Sequence, residues 1–63
     1  MANKLSLTAA RVNEGLTIEQ LSRETGISKP TIIKYEKGKV SPKWSNLKKI
    51  ITRLNVSVDD LDL

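Results

Sequence analysis

Glycine occurs at positions 15, 26 and 38 of this chain, and each one stands alone. Helix caps Thr17 and Ser28 follow the first two, and Ser41 and Pro42 mark a loop after the third. Punctuation this dense predicts a chain cut into short helices that must pack on one another. No strand pattern is longer than Val56–Val58, and no internal repeat or disordered linker interrupts the chain. The expected fold class is all-α and compact, with five helices in a single domain over residues 1–63.

A first helix is predicted from about Leu5 to Asn13, with Leu7, Ala10 and Val12 inward, stopping near Gly15. Thr17 caps the second, and Gln20 three residues on completes a capping box. Leu21 and Thr25 face the core, and Gly26 suits the left-handed position that closes a helix. Ser28 caps the third, where Pro30 costs no hydrogen bond in a first turn. Ile27, Ile32, Tyr35 and Glu36 lie on its inner side, and Gly38 ends it. The fourth runs from about Trp44 to Leu54, with Leu47, Ile50, Ile51 and Leu54 at helical spacing and Asn55 as terminator. Ser57 and Asp60 imitate a capping box for a last short helix ending at Leu61.

A chain of 63 residues buries a thin core, and without cysteine or histidine it has neither disulfides nor the usual structural zinc ligands. Those absences also remove the commonest general base and the best nucleophile, so an enzyme is not expected, nor a cofactor or metal. The acidic group Asp59, Asp60 and Asp62 suits the first turn of a terminal helix better than a carboxylate site. The longest apolar run is two residues, so no signal peptide or membrane span is expected. The lack of cysteine fits a cytoplasmic location.

The net charge of +4 is sharply partitioned. Residues 1–28 balance to zero, residues 29–53 carry seven lysines and Arg53 against Glu36 alone, and residues 54–63 carry only three aspartates. A concentrated basic field favours a polyanion such as nucleic acid, through phosphate neutralisation and counterion release. Lysines that only keep a small protein soluble are the bland alternative. The outer face of the third helix sharpens the choice. It carries Lys29, Pro30, Ile33, Lys34 and Lys37, too basic for a neutral surface and too apolar for a solubility device.

Residues Ile18 to Tyr35 form two short helices around a tight turn at Gly26, with small Ser22 where the helices approach. This is a helix-turn-helix pattern, spanning about residues 18–37. The segments RVNEGLTIEQLSRETGIS, IIKYEKGKVSPKW and LKKIITRLNVSVDDL together resemble the Cro/C1-type (lambda-repressor-like, XRE) helix-turn-helix family. That group contains the lambdoid phage repressors, the Cro proteins and many small bacterial regulators. The resemblance covers about Leu7 to Leu61. It implies a five-helix lambda-repressor-like domain that binds double-stranded DNA with its third helix in the major groove.

The resemblance places Lys29, Pro30, Ile33 and Lys34 against base edges. Lysine can donate to guanine O6 and N7, while Pro30 and Ile33 can touch thymine methyl groups. It assigns phosphate contacts to Arg11, Thr17, Ser28, Thr31, Lys37, Lys39, Lys43 and the Trp44 amide. It also implies a semi-buried ion pair between Arg11 and Glu36. Relatives often place glutamine at the start of the second helix to anchor phosphate; here that position is Ile18, which cannot do so.

The implied function is a sequence-specific transcriptional regulator, a Cro-like or phage-type repressor in a bacterial cell or phage-infected host, with no small-molecule ligand. A homodimer on a pseudo-palindromic operator is expected, with Trp44, Val56, Val58 and Leu61 supplying apolar contact. Asp59, Asp60 and Asp62 would then approach Lys48, Lys49 or Arg53 of the mate. The competing class is a protein-binding module on the same fold, an antirepressor or antitoxin-like partner, using Ile18, Ile33 and Trp44.

Overall fold

The computed structural model describes residues 4–62. They form four α-helices, α1 Leu7–Asn13, α2 Ile18–Thr25, α3 Lys29–Glu36 and α4 Trp44–Leu54, followed by a 3-10 turn, Val58–Asp60. The domain is all-helical. The five-helix expectation is corrected to four helices and one turn.

Local chemistry explains most of the boundaries. The Thr17–Gln20 box forms as predicted, with Gln20 N donating to Thr17 Oγ1 at 3.0 Å and Thr17 N to Gln20 Oε1 at 2.8 Å. Gly26 closes α2 in the left-handed region at φ 77°, its N–H bonded to the Ser22 carbonyl. The turn into α3 is braced from within. Ser22 Oγ donates to the Ile27 carbonyl at 2.6 Å, and buried Thr25 donates to the Leu21 carbonyl at 2.7 Å while accepting from Ile27 N. Pro30 sits in the first turn of α3 behind the Ser28 cap. Asn55 ends α4 at φ 58°, as a terminator should.

Both ends of the chain depart from expectation for one reason. Ser6 caps α1, its hydroxyl accepting from Ala9 N at 3.0 Å, so the helix starts at Leu7 and not Leu5. Leu5 stays extended and bridges Leu61 in parallel: Leu5 N donates to the Asp60 carbonyl at 2.8 Å and Asp62 N to the Leu5 carbonyl at 2.7 Å. Leu61 is thereby drawn out of helical geometry into the core, and the last helix is cut to a single 3-10 turn. Val12 is 59% exposed and not inward. Five residues past Leu7, it points about 140° away from Leu7, on the side opposite the buried stripe.

Leu21, Ile32 and Ile50 are sealed completely, with Leu54 and Ala10 nearly so. α2 lies at the centre, packed on α3 and on α4, while α1 packs on α3. Ile27 in the turn, Leu16 before α2 and Leu61 from the tail complete the core. Among the described residues, no helix is long and apolar enough to cross a membrane.

Candidate nucleic-acid interface

The geometry of α3 follows from its two faces. Ile32 and Tyr35 are buried, so the helix is fixed by one side, and Lys29, Pro30 and Lys34 are exposed on the other. Ile33 lies half-buried at the edge of that outer face. Pro30, Ile33, Lys34 and Lys37 recur at the spacing that lines up one helical stripe. These residues are brought together as the sequence predicts.

The flanking residues divide. Ser28 and Thr31 hydroxyls lie 2.8 Å apart at the start of α3, with Thr31 N donating to Ser28 Oγ. The Thr17 hydroxyl accepts the Gln20 amide, and a hydroxyl that accepts one bond keeps its own O–H to donate. Lys37 and Lys39 are exposed at the end of α3 and in the segment beyond it. Lys43 caps α4 without a side-chain hydrogen bond, unlike Ser6, Thr17 and Ser28 at the other helix starts. Trp44, at 60% exposure, opens the helix without burying its ring.

Arg11 is tied into the fold behind the start of this surface. Its Nε meets Glu36 Oε2 at 2.8 Å, its Nη2 meets Glu36 Oε1 at 3.3 Å and its Nη1 donates to the Leu16 carbonyl at 2.7 Å. Side-chain exposures of 12% for Arg11 and 9% for Glu36 make the pair semi-buried. Each nitrogen of the guanidinium makes one bond inside the protein, so Arg11 braces α1 and the loop before α2 against α3. Arginine has five N–H donors, so this pairing leaves two for the phosphate contact that the resemblance implies for Arg11.

Two partners in these networks are not expected from the sequence. Thr8 Oγ1 donates to Glu36 Oε1 at 2.8 Å. Its position three residues before Arg11 on the same helix face is the one signal that could point to it. Asn46 Nδ2 donates to Tyr35 Oη at 2.9 Å, from a position four residues before core Ile50. Val40, 49% exposed between α3 and α4, is a further apolar surface residue that the sequence pattern does not single out.

The basic segment is less uniform than its charge suggests. Arg53 is held by Glu24 and lies 3.8 Å from Glu14, and the Glu24 bond keeps its pKa above the ordinary arginine value. It is thus committed within the molecule. Lys48 and Lys49 line a shallow open groove with Glu24, Thr25, Thr52 and Arg53, between α2 and α4. The apolar surface expected for pairing also shrinks, because Leu61 is buried and Val56 packs half-buried against the core. Trp44 and Val58 remain exposed, whereas Ile18 is half-buried against the core like Val56.

The helix-turn-helix family model matches residues 7–61, from the first residue of α1 to the bridge at Leu61. The chain belongs to this family, the XRE-type helix-turn-helix group of DNA-binding transcription regulators. It is similar to an uncharacterized HTH-type transcriptional regulator of Methanocaldococcus jannaschii, 39% identical over 61 residues that span 97% of this chain and 89% of the relative. It is also similar to an uncharacterized HTH-type transcriptional regulator of Archaeoglobus fulgidus, 35% identical over 51 residues that span 81% of this chain and 73% of the relative. No solved structure matches the chain significantly.

Proposed function

We propose that this chain is a sequence-specific reader of double-stranded DNA and a Cro-like repressor, with α3 in the major groove. The observation that carries the reading is the split of α3: Ile32 and Tyr35 fasten one side in the core while Lys29, Pro30, Ile33 and Lys34 project from the other. A helix held this way presents a fixed edge to the bases. The two lysines donate to guanine acceptors, and Pro30 and Ile33 cover thymine methyl groups.

Phosphate contacts set the register. The Thr17 hydroxyl, Ser28, Thr31, Lys37, Lys39 and Lys43 take these positions, together with the Trp44 amide at the start of α4, where helix N–H groups and the dipole favour phosphate. Each neutralised phosphate releases counterion, so affinity falls with salt by a log–log slope of about 0.9 per contact. Ile18 supplies no such contact, which shifts the anchoring onto Thr17 and the helix starts. Arg11 acts behind this surface by holding α1 against α3.

One domain reads few base pairs, so two copies on a pseudo-palindrome with half-sites about 34–36 Å apart are part of the proposal. Of the four apolar residues expected at that contact, Trp44 and Val58 are the two that stay exposed. The exposed Trp44 also favours the second reading, a protein-binding module on the same fold. Titrating salt against binding to random duplex DNA separates the two. Measurable binding at low salt with a steep loss on adding salt supports the regulator, and no binding at low salt supports the module.

A further inference from the structure

The reading helix and the start of α4 must meet one duplex at the same time, yet little holds them to each other. Both α3 and α4 pack on α2, with scant contact between them. The connecting residues 37–43 are exposed apart from half-buried Pro42, and Gly38 turns the chain there at φ 72°. Among the described residues, one side-chain hydrogen bond ties α3 directly to α4: Asn46 Nδ2 to Tyr35 Oη, at 2.9 Å and partly buried. The Tyr35 ring fills the core much as phenylalanine would, so its hydroxyl adds something the core does not need. It reaches the first turn of α4, three residues beyond Lys43.

We propose that Tyr35 and Asn46 are positioning residues that fix the start of α4 relative to the reading helix, so that the Lys43 and Trp44 phosphate contacts are in place when α3 enters the groove. The proposal rests on the DNA-binding reading. A preset spacing lowers the ordering cost of binding, because the two contact elements need not be brought into register on the DNA. The pair touches neither base nor phosphate and acts through Lys43 and the α4 amides.

Tyr35→Phe keeps the ring and removes the bond, and Asn46→Ala removes it from the other side. Binding of each to a random-sequence duplex is measured across a salt series, at a temperature where circular dichroism shows every protein folded. Each variant is expected to lose about 3- to 10-fold in affinity, the size of one net hydrogen bond. The double variant is expected to be no worse than either single. The salt slope should fall by about one unit, because the Lys43 contact is lost with the register. Lys43→Ala should lower the slope in the parent protein and not further in Tyr35→Phe. A bond that only stabilises the fold leaves the slope unchanged, so an unchanged slope, or full additivity of Tyr35→Phe with Lys43→Ala, overturns the proposal. Failure of the parent protein itself to bind any duplex at low salt overturns the DNA-binding reading and this proposal with it.

Discussion

Lys34 and Lys39 carry the same charge and sit five residues apart, but only Lys34 stands on the outer stripe of α3 beside Ile33. Lys34→Ala is therefore expected to cost about 1–3 kcal/mol on the best site and to blur preference at one base position. Lys39→Ala should weaken all sequences alike and lower the salt slope by about one unit. Equal losses for Lys34→Ala on specific and random DNA would remove it from base readout. Glu36 makes a second contrast. It receives Thr8 and two nitrogens of Arg11, whereas Glu14 has only a 3.8 Å approach to Arg53. Glu36→Gln leaves a semi-buried guanidinium uncompensated, a loss of about 2 kcal/mol, or roughly 8–16 °C in melting temperature for a domain this small. Glu14→Gln should stay within about 0.5 kcal/mol. Equal melting temperatures for the two would contradict the brace. Charges this far apart in sequence can be paired only by knowing the fold, which the family pattern supplies for Arg11 and Glu36. Nothing comparable marks Thr8 or Asn46, whose bonds depend on where other helices happen to pass.

The helices from α2 to α4 are legible in the sequence because their ends are written in local chemistry. Thr17 with Gln20, Ser28 with Pro30, Gly26 and Asn55 each act within a few residues of themselves. The two ends of the chain are not legible, since Leu5 and Leu61 are set by each other across the whole sequence. A hydrophobic residue near a terminus carries no mark that says it will bridge rather than continue a helix. Two outcomes test this arrangement. Leu61→Ala should cost about 2–4 kcal/mol, much of the stability of so small a domain, while exposed Val58→Ser should leave the monomer nearly unchanged. Similar thermal unfolding of the two variants would contradict the bridge. The turn also has a pH signature. The backbone N–H of Ser57, and then its hydroxyl, hold the Asp60 carboxyl below its ordinary value. A depressed pKa in the folded state means that Asp60 stabilises above the unfolded carboxyl value of about 4, and that this is lost as pH falls through the lower folded value. Asp60→Asn should flatten that acid-side decline in melting temperature, and an unaltered profile would argue against it.

At the scale of the whole molecule, the division of charge along the chain becomes a division of labour. Arg53 is turned to Glu24 and Glu14 and serves the fold. Five lysines at 29, 34, 37, 39 and 43 lie on α3 or follow it and remain exposed. The charge segregation is visible in the sequence, but which cations are committed internally is not, because that depends on the packing of α4 against α2. Dimeric binding belongs to this scale too. Scrambling one half-site of the preferred operator is expected to lower affinity and change the stoichiometry, and unchanged affinity with one protomer bound would contradict it. Selection of binding sites from random duplexes, followed by titration of the parent protein on the winning duplex and on a random one at a fixed salt concentration, tests DNA reading by α3 most directly. The expected result is a shared, two-fold related sequence bound about a thousandfold or more tighter than random DNA, with most of that ratio lost in Lys34→Ala. Selection that yields no common sequence, or equal affinity for both duplexes, would contradict it.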